Sequence, residues 1–210
     1  MQVILKLFKE LTMSGILDLI KGSIGQQAAE QVSQQIGGNQ EATQRAIAAA
    51  VPLLLAALQK NSQSKSGAES LANALEKDHD GGILGNLGSL FGQSTFQSSG
   101  EQILGHVLGS RQNNVSNQLG KATGLGAADV NKILANLAPV VLGAIGKAKK
   151  ENNLGVSGLQ DLLVNEHKQI QKTQPNLSFL EKALDGDGDG DVDLSDVLKH
   201  GSGLLKGFFS

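Results

Sequence analysis

The chain has 210 residues, a net charge of −2, and an apolar fraction of 40% carried mainly by Ala, Leu, Ile and Val. With no cysteine it can hold no disulfide, zinc–thiolate site, iron–sulfur cluster or cysteine nucleophile. Six Phe with no Tyr or Trp, on a nearly neutral chain, offer neither a base-stacking platform nor an electrostatic footprint for nucleic acid.

The length suffices for one large domain or two small ones with a real core. A core of small aliphatics suits closely packed helices. Only three prolines interrupt them, and 27 glycines punctuate them. The acidic charge is unevenly spread. Six of the 20 acidic residues lie between Asp185 and Asp196, and without them the net charge turns from −2 to +4.

Val3, Ile4, Leu7, Phe8 and Leu11 recur at helical spacing and predict an amphipathic helix over residues 2–12, packed on the core. Two other readings stand beside it. Met13 is the start and residues 1–12 are an upstream extension, or the helix lies on a membrane surface or docks a partner. This stretch lacks the cationic start and small-residue cleavage site of a signal peptide, so a cytoplasmic location is expected.

Residues 14–60 read as three helices, broken near Gly25 and at Gly37-Gly38. Asn61–Gly67 is a polar connector. Ala68–Lys77 is a further helix, stopped by Asp78-His79-Asp80-Gly81-Gly82. In Ile83–Gly92, the glycines at 82, 85, 88 and 92 are spaced to let helices approach closely. Gln93–Ser99 reads as a Ser/Gln linker between residues 13–92 and 100–174. The longest apolar runs, Ala46–Leu58 and Ile133–Ile145, are 13 residues each and contain a proline. They fall short of the ~18 apolar residues of a membrane span and read as core helices.

The second half echoes the first. Val32-Ser33-Gln34-Gln35-Ile36-Gly37 matches Val115-Ser116-Asn117-Gln118-Leu119-Gly120. The apolar helix around Pro52 matches the one around Pro139. A short helix follows each, at Ala68–Leu75 and at Val156–Val164. The expected architecture is all-α: a compact helical bundle of two related repeats, followed by an EF-hand-like helix-loop-helix over residues 175–210.

Glu101-Gln102-Ile103-Leu104-Gly105-His106-Val107-Leu108-Gly109, then Gly124-Leu125-Gly126, then Leu137-Ala138-Pro139-Val140-Val141-Leu142-Gly143 resemble the bacterial family known as domain of unknown function nine-three-seven. Met13-Ser14-Gly15-Ile16-Leu17-Asp18 and the Asp-Gly-rich tail resemble it too. The resemblance implies a helical bacterial protein. It brings no activity and no catalytic residue.

The one motif with chemistry is Asp185–Asp196. It fits the twelve-residue calcium loop position by position. Asp185, Asp187 and Asp189 supply side-chain oxygens at positions 1, 3 and 5. Gly190 makes the sharp turn at position 6, and Asp191 gives a backbone carbonyl. Asp193 stands at position 9 and Asp196 at position 12. Asp at position 12, where Glu is usual, makes the loop resemble the dockerin type; it weakens calcium binding and moves preference toward magnesium. A single loop reads as a staple that orders the tail.

The other polar clusters read as bland. His79 between Asp78 and Asp80 is a helix-end cluster, with a metal site as the alternative. His106 reads as a core histidine, and His167 and His200 as last-turn residues. Lys147, Lys149 and Lys150 complement a helix C-terminus. The expectation is therefore a non-enzymatic calcium-binding structural or interaction protein. It joins an unknown protein partner or self-associates, and it has no nucleic acid partner and no transmembrane segment. An enzyme with a site in the helical body, or a protein that makes peripheral membrane contact, is the alternative.

Overall fold

A computed structural model of the chain describes residues 15, 16, 20, 25–37 and 40–173. The described residues form eight α-helices and no strand: α1 (Gly25–Ile36), α2 (Gln40–Asn61), α3 (Lys65–Lys77), α4 (Leu87–Leu90), α5 (Ser94–Val107), α6 (Gln112–Thr123), α7 (Ala127–Glu151) and α8 (Val156–Thr173). Short 3₁₀ turns occupy Gly82–Gly85 and Gly109–Arg111. The expected N-terminal helix over 2–12 and the calcium loop lie outside the described residues.

Two helices make the centre. Every residue from Ala49 to Leu58 on α2 is buried, and so is every residue from Ile133 to Gly146 on α7. A helix that is apolar on all sides must be covered on all sides. By length and composition both could cross a membrane. In this bundle, however, 78% of the most apolar window of each is buried against protein, which marks them as core helices.

The shorter helices cover this pair in a crossed pattern. α1 packs on both α2 and α7, and α6 does the same. α3 packs on α7, whereas α8 packs on α2, and α3 and α8 touch. Polar side chains pin the crossings. Buried Asn136 on α7 donates to Gln35 Oε1 on α1 at 3.2 Å, and Ser116 on α6 donates to Asn131 on α7 at 2.6 Å. Arg45 on α2 donates to the Thr123 carbonyl at the end of α6, at 3.4 Å, where a cation offsets the helix dipole. Gln160 on α8 donates to the Ser62 carbonyl at 2.6 Å.

Both internal prolines sit within continuous helices. Each removes the donor for the carbonyl four residues earlier. For Pro139 that carbonyl belongs to Ala135. A Cβ on Gly100 of α5 would overlap this oxygen, so a Gly100 Cα–H points directly at it. Such a Cα–H···O contact is worth roughly 0.5–1 kcal/mol. It sets the close α5–α7 crossing. A second close approach brings Gly146 of α7 under the His79 carbonyl.

Two expectations change. Residues 94–99 are not a linker: they are the first turns of α5, and Phe96 is buried there, edge-on to Phe91. The polar Ser/Gln composition hid a helix whose buried face is one residue per turn. The close-approach glycines are also not those of the 82–92 stretch. Gly85 and Gly88 face open space, while Gly100, Gly143 and Gly146 carry the tight contacts.

A pair of substitutions on α5 separates packing from propensity. Gly100→Ala drives a methyl into the Ala135 carbonyl and should destabilise by about 1–3 kcal/mol, the usual cost of overpacking. Gly105→Ala, with nothing near its Cβ position, should stabilise by up to ~1 kcal/mol. Urea unfolding midpoints check both signs.

Candidate functional site

α3 and α5 are neighbours in the bundle but leave a groove of about 950 Å³ between them. The α3 wall is one helical face: Gly67, Ser70, Leu71, Ala74 and Asp78 follow at spacings of three and four. The α5 wall is another: Ser99, Gln102, Ile103, His106 and Val107. Leu58 of α2 and Leu142 of α7 form the floor. The groove is thus apolar at its base and edged by hydroxyl, amide and imidazole groups.

One end of the groove is shaped by the α2–α3 connector. Asn61 donates to the Val107 carbonyl at 2.9 Å and ties α2 to the end of α5. Ser64 caps α3 by accepting from the Gly67 N–H at 3.0 Å.

The other end is shaped by the segment after α3, which lies along the end of α7. Lys149 bonds Glu76 at 2.6 Å and Lys150 bonds Asp80 at 2.9 Å. The Lys149 hydrogen bond and charge hold Glu76 below the usual carboxylate range. Lys150, helped by the Gly82 N–H, does the same to Asp80, and Asp80 in turn raises the Lys150 ammonium. Lys150–Asp80 is exposed, and in the other pair Lys149 is largely covered while Glu76 is exposed, so both pairs fix position more than they add stability. The three lysines at 147, 149 and 150 each meet a carboxylate, Lys147 through Glu151 at 3.9 Å.

His79 sits at the corner between these parts. It is half-buried, and its Nδ1 is shielded with no hydrogen-bond partner among the described residues. Burial pushes its pKa down, and the Asp78 charge opposes this only in part. The helix-end cluster expected around His79 is present. Asp80 is committed to Lys150 and to the Gly82 N–H at 3.0 Å.

His106 is not a core histidine. It is exposed and lines the groove. The buried positions of α5 are Phe96, Gly100, Leu104 and Val107, and residue 106 is two steps, or about 200°, around the helix from Leu104. His167 is not in a last turn either, because α8 continues to Thr173. The predicted calcium ligands Asp185, Asp187, Asp189, Asp191, Asp193 and Asp196, and His200, lie outside the described residues. Among the described residues no three His, Asp or Glu side chains gather as a metal site.

Sequence reasoning missed the groove. Its signal was the slim apolar face of α3, which buries Ala68, Ala72 and Leu75. The later helix α8 buries the larger Leu159, Leu163, Glu166 and Ile170.

His79 gives the site a pH dependence whose sign follows from burial. At and above about pH 6.5, the ordinary histidine pKa, its contribution is at or near full strength. As pH falls from there toward the depressed folded value, the unfolded chain takes the proton first and stability drops. His79→Asn should reduce the loss of urea midpoint between about pH 7.5 and pH 5. An unchanged loss would contradict this role.

The family model described as bacterial protein of unknown function (DUF937) matches residues 18–148. That span holds α2, α7 up to its last turn and both walls of the groove, and it ends before the aspartate loop. No curated protein and no solved structure matches the chain.

Proposed function

We propose, from the premise that this chain belongs to the DUF937 family of bacterial proteins, that it is a non-enzymatic interaction protein. In this reading its duplicated helical body carries a calcium-stapled tail. The observation that carries the calcium part is the loop itself. Asp185, Asp187, Asp189, Asp193 and Asp196 fall at the ligand positions, with Gly190 at the turn and the Asp191 carbonyl between them. Six carboxylates within twelve residues repel one another unless a hard cation joins them. Calcium fits the oxygen-only donor set. Magnesium, which demands near-ideal octahedral geometry, is the weaker candidate. A cytoplasmic setting belongs to the same proposal.

The duplication is supported by sequence and by packing together. The order short helix, long proline-bearing helix, short helix occurs as α1–α2–α3 and again as α6–α7–α8. Exchanging α1 with α6, α2 with α7 and α3 with α8 turns each main contact among these six into another one. The α1–α2 contact becomes α6–α7, α1–α7 becomes α6–α2, and α3–α7 becomes α8–α2. Residues 66–75 also align with 157–166, through Ser66-Gly67 and Ser157-Gly158.

The loop should bind one calcium with a Kd of roughly 10⁻⁵ to 10⁻³ M, the weak end for such loops, because Asp196 is one methylene shorter than the usual Glu. Calorimetry on the wild type and on a variant carrying Asp185→Ala with Asp189→Ala checks it. A heat of binding present only in the wild type is expected. No heat in either protein would overturn the calcium reading.

A further inference from the structure

The alignment of α3 with α8 sets two inter-helix seams side by side, and the two differ. At the α8 seam, Glu166 is buried and accepts the Ile16 N–H at 3.0 Å. Its carboxylate occupies the space a Gly15 Cβ would need. That seam is closed by the chain itself. The equivalent of Glu166 on α3 is Leu75, which is buried on the far side of α3 from the groove and carries no polar group to bond a partner. At the α3 seam, α3 and α5 stand apart across the groove, with Leu58 and Leu142 at its floor.

We propose that this groove is the docking site of the chain's own C-terminal segment, with Leu204, Leu205, Phe208 and Phe209 entering it. Calcium at Asp185–Asp196 favours the docked state; this metal dependence and the comparison of α3 with α8 rest on the function proposed above, and the docking itself does not. Three observations point to this occupant. The first is chemistry: the apolar base formed by Leu58, Leu71, Ile103 and Leu142 matches four large apolar side chains within six residues. The second is charge. Among the described residues, Asp78 is the one carboxylate lining the groove and no Lys or Arg lines it, while Lys206 is the one charged side chain between Gly201 and Ser210. The third is reach. α8 ends at Thr173 and packs on α3, a wall of the groove. The 30 residues between Thr173 and Leu204 span about 45 Å even if wholly helical. That exceeds the ~39 Å diameter of a compact sphere whose radius of gyration is ~15 Å.

The absence of cysteine makes the test direct. In the full chain, Ser70→Cys is combined with Gly207→Cys, and the yield of intramolecular disulfide is compared with that of Asn113→Cys plus Gly207→Cys. Asn113 is exposed on α6, away from the groove lining. The groove pair should cross-link within one chain in several-fold higher yield, and Leu71→Glu should abolish the excess without lowering the melting temperature much. Calcium should raise the groove yield and a chelator should reduce it.

Equal yields at the two positions would overturn the proposal. So would a disulfide-linked dimer, which assigns the groove to a second copy. Cross-linking of Ser70→Cys to Lys9→Cys in place of Gly207→Cys would give the groove to the N-terminal segment and overturn the proposal equally. Calcium binding by calorimetry without the cross-link defeats the docking alone. The cross-link without any calcium effect keeps the docking and defeats the staple.

Discussion

Two helices with no polar face cannot exist alone in water, and α2 and α7 are such helices. Their buried stretches, Ala49–Leu58 and Ile133–Gly146, present apolar groups on every side. Pairing α2 with α7 covers only one side of each. The remaining sides need at least two further helices apiece, and the chain supplies them from both directions. α1 and α6 each lie across the pair, while α3 and α8 each cover the long helix that is not their immediate sequence neighbour. The resulting core is continuous from Ile16 to Ile170. Its small side chains let backbones approach to the point where, at Gly100 and Gly146, a methyl group would not fit.

The groove follows from that same packing. A helix laid against α7 with Ala68 and Ala72 as its buried contacts fills less space than one with Leu159 and Leu163. The segment after α3 then has to turn under the end of α7, held by Lys149 to Glu76 and Lys150 to Asp80. This turn leaves His79 shielded at the corner. The site is therefore a consequence of how much apolar volume each outer helix brings to the central pair. It does not depend on a constellation of reactive groups.

Much of this was legible in the sequence. The all-helical class, the two apolar core helices with their prolines, the breaks at Gly37 and at Asp78–Gly82, and the polar connector after Asn61 all follow from periodicity and turn chemistry. Several features, the groove and the place of His167 among them, did not. Residues 94–99 are too polar to announce a helix, yet Phe96 alone anchors that turn. Glycine spacing suggested close contact at Gly85 and Gly88, but a glycine is tight only where another part of the chain passes close to it, and that is a tertiary fact. His106 was misplaced because neighbouring Ile103, Leu104 and Val107 made the whole stretch look buried, when the inward face of α5 is narrow. The aspartate loop is the reverse case. Its chemistry is plain in the sequence, and it lies outside the described residues.

The central claim is that neither half of the chain can cover its own long helix. It is tested most directly by dividing the chain between α4 and α5 and following helical circular dichroism through urea. Residues 1–92 and 93–210, prepared separately, should each lack a cooperative transition. Mixed in equal amounts, they should regain helicity and unfold as one unit. A cooperative transition and full helical signal from either fragment alone would contradict the account.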